Sequence, residues 1–191
     1  MDIRINFLRV ASSCFEQTVA HIAEVTRREH HLLEQDLQVL YKVATAGRLI
    51  VAVDHDQNER FVGCIMLWEL KHPVLDKSWY ELGTIYVEPE YRFPQTGCSV
   101  ADLLYRKLLD SFAHLDILAT TTNPNAIKAG YRADLKMIRF NDLPDWVHQA
   151  TCVCSATKRR TAQPGVCLLK DETCRVRLAV ETWLRLTNDH T

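Results

Sequence analysis

The chain has 191 residues, 47% of them hydrophobic and 25% charged, with a formal net charge of -1. That length and apolar content suit one globular domain with a sizeable core. They exclude a low-complexity or strongly charged disordered chain, and the near-zero charge gives no basic field, so no nucleic-acid partner is expected. No stretch approaches the ~20 apolar residues of a membrane span, and the N-terminus lacks a secretory apolar core and small-residue cleavage site. A cytoplasmic location is expected. Seven cysteines, an odd number, favour reduced thiols or a metal site over a disulfide framework.

In chain order, Ile3–Val10 reads as an edge strand. A helix is predicted from about Cys14 to Arg28, with Ser12 or Ser13 as N-cap and Glu16 completing a capping box with Ser13. A second helical pattern runs through Leu33, Leu37, Leu40, Tyr41 and Ala44 to Gly47, a favourable C-cap residue. His30 and His31 lie in the connection between the two helices. Leu49–Val53, the polar turn Asp54–Glu59 and Phe61–Leu70 predict an antiparallel hairpin. Tyr80–Val87 is a further strand, followed by a turn-rich loop and a helix from Ser99 to about Leu109. Ile117–Thr121 is the next strand, and a strand–helix–strand crossover predicts parallel pairing. A short helix follows from Asn123 to about Ala133, then strand Lys136–Phe140, a short helix over Asp142–Ala150, and a last strand over Arg175–Val180.

The stretch Trp79–Leu109 is the most informative chemically. A strand that runs through a polar loop into a helix N-terminus builds an anion site, because the first helical N–H groups lack partners and the macrodipole favours negative charge there. A phosphate-bearing ligand fits such a place.

The layout is α+β, a mixed central sheet flanked by helices. Leu82–Arg92 (LGTIYVEPEYR) resembles the central strand and start of the pyrophosphate loop of the Gcn5-related N-acetyltransferase (GNAT) superfamily, whose loop reads Arg or Gln, x, x, Gly, x, Gly or Ala. Here it is Arg92-Phe93-Pro94-Gln95-Thr96-Gly97. Gln95 stands at the first glycine position, and Pro94 removes an N–H that would face a phosphate. Asn123-Pro124-Asn125-Ala126, continuing to Tyr131, is similar to the superfamily's Asn, x, x, Ala, x, x, x, Tyr element beside the coenzyme thiol. Gly130 holds the tyrosine position and Tyr131 comes one residue late, which turns it by about 100° on a helix.

The resemblance implies a single GNAT-like acyl-CoA N-acyltransferase domain over residues 1–191, with acetyl-CoA as cosubstrate and an amine as acceptor. A neutral amine would attack the thioester directly, with a base for its proton, an N–H for the oxyanion and an acid for the thiolate. It places Glu81 as general base and Tyr131 as the acid. Ile85, Tyr86 and Val87 would bind the pantetheine arm and thioester through their backbone, Arg92, Gln95, Thr96, Gly97, Cys98 and Ser99 the pyrophosphate, and Asn123 and Ala126 the thiol end. The loop departures keep open a catalytically inactive CoA-binding or interaction protein of the same fold. A signal synthase of similar fold is a third reading. A homodimer is compatible with the sequence, and Lys158, Arg159 and Arg160 read as a solvated basic run.

An insertion at about 148–174 carries Cys152, Cys154, Cys167 and Cys174, spaced C-x-C, twelve residues, C-x6-C. Four thiolates, with His148 as a spare ligand, would complete a structural zinc site with no open position. Free thiols and a redox pair are the alternatives.

Overall fold

A computed structural model of the protein describes residues 2–29, 32–92, 99–151, 170–171 and 174–188. Seven strands form one mixed sheet in the order β1-β2-β3-β4-β5-β7-β6, and helices flank it. The chain divides into two compact units, residues 1–67 with 83–111 and residues 68–82 with 112–191.

In the first unit, β1 (Ile3–Phe7) pairs antiparallel with β2 (Leu49–Asp54), and β2 pairs antiparallel with β3 (Arg60–Lys71), whose residues to Leu67 belong here. The predicted hairpin is present. Its turn is a 3-10 turn at His55–Gln57 followed by Asn58 and Glu59, both with left-handed φ. Helix α1 (Phe15–Arg28) buries Phe15, Val19, Ile22, Ala23 and Val25, the apolar positions at helical spacing. Helix α2 (Leu37–Thr45) packs beside it through an edge-on Phe15–Tyr41 contact at 5.4 Å. Helix α3 (Val100–Ser111) covers β1 and β2 with Leu104 and Leu108, both without exposed surface.

Helix α1 starts where expected but without the expected cap, and the start of the second helix moves. No capping box forms at α1, where Cys14 is the N-cap and makes no side-chain cap bond. The Ser12 hydroxyl is instead engaged with the Cys14 thiol at 3.0 Å. Helix α2 starts at Leu37 rather than near Leu33, because the Asp36 side chain accepts from the Gln38 N–H at 2.7 Å and fixes the first turn there. Gly47 ends the segment with φ of +68°, as its capping role requires.

In the second unit, the first half of β4 (Ser78–Val87) pairs parallel with β5 (Ile117–Thr121), as the crossover predicts. Helix α4 (Pro124–Arg132) is capped by the Asn123 side chain, which accepts from the Asn125 N–H at 2.9 Å. Strand β6 (Lys136–Ile138), helix α5 (Asp145–Ala150) and strand β7 (Arg175–Leu178) follow, with β7 antiparallel to both β5 and β6. Trp79, Leu118, Phe140, Val147, Val176 and Leu178 form its core.

Both late strands are shorter than predicted. Strand β6 stops at Ile138 because the Asp171 carboxylate accepts from the Phe140 N–H at 3.2 Å and a 3-10 turn occupies Phe140–Asp142. Strand β7 stops at Leu178, and Val180 opens helix α6 (Val180–Asn188), which the sequence pattern did not reveal. Thr182 anchors α6 by accepting from the Ile117 N–H at 2.7 Å.

One position in the first unit allows no side chain. A Cβ on Gly63 would lie 2.5 Å from the Tyr86 carbonyl oxygen and 3.2 Å from the Val87 Cα, both backbone atoms. Gly63→Ala is therefore expected to destabilise the protein by about 1–3 kcal/mol, read as a lower urea midpoint; an unchanged midpoint would contradict this packing.

Candidate functional site

Strand β4 changes its surroundings midway. Its rungs with β5 are Tyr80 with Ile117, Glu81 with Leu118 and Leu82 with Ala119, while the strand continues to Val87. Gly83–Val87 therefore run beyond that ladder. Thr84 takes φ of 48°, a left-handed value within a strand, and the buried Cys64 thiol reaches its carbonyl at 3.8 Å. Such strain in a non-glycine residue persists only where its surroundings hold it.

Glu81 sits on the middle rung with 8% of its surface exposed, and the Thr120 hydroxyl donates a short hydrogen bond to its carboxylate. Burial pushes the Glu81 carboxyl up to about 7, against smaller lowering effects of the Thr120 bond and the Lys170 charge. A carboxyl poised there changes protonation at neutral pH, which is the property a general base needs.

Tyr131, the expected acid, lies at the end of α4 with 57% exposure, its ring stacked on the Arg177 guanidinium at 3.5 Å. Asn123 spends its side-chain oxygen on the cap of α4, and Ala126 is in the first turn of that helix. These residues belong to the second unit with Glu81 and Thr120.

The first unit holds the remaining described residues. Tyr86 and Val87 are buried, with Ile85 partly so. The Tyr86 hydroxyl donates to Glu88 at 2.9 Å, and the same carboxylate meets His21 Nε2 at 2.7 Å. Burial, then the Glu88 bond and charge, push the Tyr86 phenol up to about 12, so it remains protonated and acts as a donor. Arg92 donates from Nε to the Val87 carbonyl at 2.8 Å and from NH2 to Glu29 at 3.3 Å, which braces the end of β4 against α1. Ser99 precedes α3 and caps it, accepting from the Asp102 N–H at 3.1 Å. Gln95, Thr96, Gly97 and Cys98 lie outside the described residues, as do His30 and His31.

Thr120 and the His21–Glu88–Tyr86 chain were not anticipated. A threonine in an apolar strand carries no functional signal alone, and His21 is 67 residues from Glu88.

Of the expected zinc ligands, Cys152, Cys154 and Cys167 lie outside the described residues. Cys174 packs against the core of the second unit. The buried His148 Nε2 has no hydrogen-bond partner among the described residues, and burial lowers its pKa, helped by the nearby Lys170 charge. Among the described residues no three His, Cys, Asp or Glu side chains are grouped to hold a metal, so zinc enters no step below. No described helix is long and apolar enough to cross a membrane.

The model of the Acetyltransferase (GNAT) family matches residues 12–130, and the chain belongs to that family. Solved structures share its fold. The Rv2747 protein of Mycobacterium tuberculosis in complex with CoA is 19% identical, with 93% of this chain and 98% of that one covered and a TM-score of 0.61. A mosquito arylalkylamine N-acetyltransferase-like protein is 12% identical over 93% and 99%, with a TM-score of 0.58. NAA60 of Arabidopsis thaliana in complex with acetyl-CoA is 13% identical over 72% and 86%, with a TM-score of 0.56. No protein of curated function matches the chain.

The raised Glu81 pKa makes stability depend on pH. The folded state binds the proton up to about 7, whereas the unfolded carboxyl, near 4.5, releases it earlier. Stability from this group is complete below about 4.5 and is lost as pH rises to about 7, by on the order of 3 kcal/mol. Glu81→Gln should flatten that slope in denaturation midpoints measured from pH 4.5 to 7.5; the same slope in both proteins would remove Glu81 as its source.

Proposed function

We propose that the protein transfers an acetyl group from acetyl-CoA to a primary amine by direct attack in a ternary complex. The buried Glu81, with its carboxyl at about 7 on the second-last rung of the β4–β5 ladder, carries this reading. A residue kept half-ionised near neutrality by burial is costly as scaffold and useful as a base.

The residues present fit the coenzyme. Beyond Leu82, the β4 backbone has no further rung with β5, and in the first unit the groups of Ile85, Tyr86 and Val87 are proposed to pair with the pantetheine amides and polarise the thioester carbonyl. Ser99 at the start of the twelve-residue α3 and Arg92 at the end of β4 are proposed for the pyrophosphate, with Gln95, Thr96, Gly97 and Cys98 between them. Arg92 already has Nε and NH2 engaged, so NH1 is what it offers a phosphate. In the second unit, Asn123 and Ala126 at the start of α4 are proposed for the thiol end.

Glu81 takes the proton that the attacking nitrogen loses as the C–N bond forms. Thr120, donating to Glu81, orients the carboxylate and holds its charged form. The phenol of Tyr86 cannot serve as base, because it stays protonated. The acceptor is an amine, small or peptidic, and solved proteins of this fold include one bound to a Gag peptide and CoA, the NatC complex, 21% identical with a TM-score of 0.53. The thiol-rich sequence supports a cytoplasmic setting.

The test begins with melting curves. A ligand bound only by the native state stabilises it by about 2.7 kcal/mol at a hundredfold excess over its Kd, so acetyl-CoA is expected to raise the melting temperature by several degrees. No shift at millimolar acetyl-CoA would overturn the enzyme reading. With binding established, Glu81→Gln is expected to lower kcat by about 10²–10⁴-fold at neutral pH with CoA affinity nearly intact; unchanged turnover on an accepted amine would take Glu81 out of the mechanism.

A further inference from the structure

Strand β7 places an arginine where a sheet interior offers it nothing ionic. Arg177 is 2% exposed. Its NH1 donates to the Leu135 carbonyl at 3.3 Å, while Nε and NH2 are buried with no hydrogen-bond partner among the described residues. Among the described residues no carboxylate pairs with it. A lysine or histidine so placed can lose its proton, but a guanidinium cannot. A buried charge with two empty donors calls for an anion.

The sheet register says where that anion belongs. Arg177 pairs with Ala119 of β5, and Ala119 pairs with Leu82 of β4. Leu82–Ala119–Arg177 is thus the last rung before β4 runs past the ladder. Arg177 is one residue from Leu178, the partner of Leu118, so strand alternation sets it on the sheet face opposite Glu81.

Gly130 points to the same place. A Cβ at Gly130 would lie 3.3 Å from the Arg177 Cδ and 3.3 Å from the Leu135 Cδ1. The Arg177 side chain therefore fills the space that any longer residue at 130 would take, and position 130 is where the resemblance expects a tyrosine beside the coenzyme sulfur. The Tyr131 ring, 57% exposed, covers the guanidinium at 3.5 Å.

We propose that Arg177, through its Nε and NH2 N–H groups, binds the sulfur of the departing coenzyme thiolate, in place of a phenol at position 130. The inference rests on the acyltransferase reading above. As the amine nitrogen bonds to the acetyl carbon, the C–S bond breaks and its electron pair goes to sulfur. Glu81 holds the proton lost by nitrogen. Arg177 donates no proton; it stabilises the thiolate by charge and hydrogen bonds, as donors aimed at developing charge do. An isolated thiol has a pKa near 8.5, so a neighbouring cation brings thiolate release into the neutral range.

The experiment compares wild type with Arg177→Met, which keeps length without charge. Coenzyme A is bound to each protein, affinity is measured by calorimetry, and its thiol is titrated by the ultraviolet absorbance of the thiolate. The bound thiol is expected to titrate roughly 1 to 3 pH units lower in wild type. Acetyl transfer in Arg177→Met is expected to fall about 10²-fold or more in kcat, with KM for acetyl-CoA little changed. Its melting temperature is expected to be no lower than that of wild type, because an unpaired buried charge has been removed. Should Arg177→Met not fold, Arg177→Lys, which retains charge at shorter reach, is expected to show an intermediate titration.

Identical thiol titrations in wild type and variant overturn the proposal. So does a lowered melting temperature with unchanged titration, which would make Arg177 a structural residue, or a loss of affinity confined to acyl-CoA carrying a carboxylate on its acyl chain, which would make it an acyl-specificity residue. Failure of the underlying reading looks different: wild type itself would then release no heat with coenzyme A.

Discussion

Strand β4 cannot satisfy its own backbone along its full length from β5. Only three of its ten residues pair with that strand, and backbone N–H and C=O groups that lose a partner inside a protein must find another. The left-handed φ at Thr84 comes two residues after the last rung, and the Cys64 thiol is recruited to the Thr84 carbonyl. Absence of a side chain at Gly63 lets the Tyr86 carbonyl approach. Each of these lies where β4 has left its ladder with β5 while remaining the sheet neighbour of β3.

Two ionisable groups at that level respond differently to burial. Glu81 escapes the cost by changing its proton affinity, which leaves it near neutrality and able to exchange a proton at working pH. Arg177 has no such route, since a guanidinium keeps its charge wherever it is placed. It leans on Leu135 and the Tyr131 ring, and two donors remain over. The first residue is a tunable base and the second a fixed positive charge, and they lie on adjacent rungs with opposite facing.

Much of the fold was legible because it rests on local periodicity. The amphipathic spacing of α1, the apolar runs of β2 and β3 on either side of a polar turn and the crossover from β4 to β5 all follow from side-chain patterns a window at a time. Helix α6 was not, because RVRLAV reads as an unbroken alternation and the break after Leu178 depends on a distant bond from the Ile117 N–H to Thr182. Glu81 was reached only through the family resemblance of the strand that carries it. Gly130 stood out as a gap, but the residue filling it comes 47 positions later in the chain, and no spacing rule connects them. Thr120, His21 and Glu88 acquire meaning only through contacts between elements.

The cost of these groups bears on what the protein is for. A carboxylate and a guanidinium, both buried and not paired with each other, each forfeit hydration that the interior returns only in part. Replacing them by apolar residues of similar volume would leave a scaffold of the same topology, often a more stable one. An interaction module would gain nothing from the expense. A site that must take a proton from nitrogen and receive negative charge on sulfur in the same step gains both, since each charge is strongest where water is excluded and is already in place before the bond breaks. On the proposed reading, Glu81 and Arg177 are the costly groups that such a site would use, whatever the departures at Gln95 and Gly130 in the sequence.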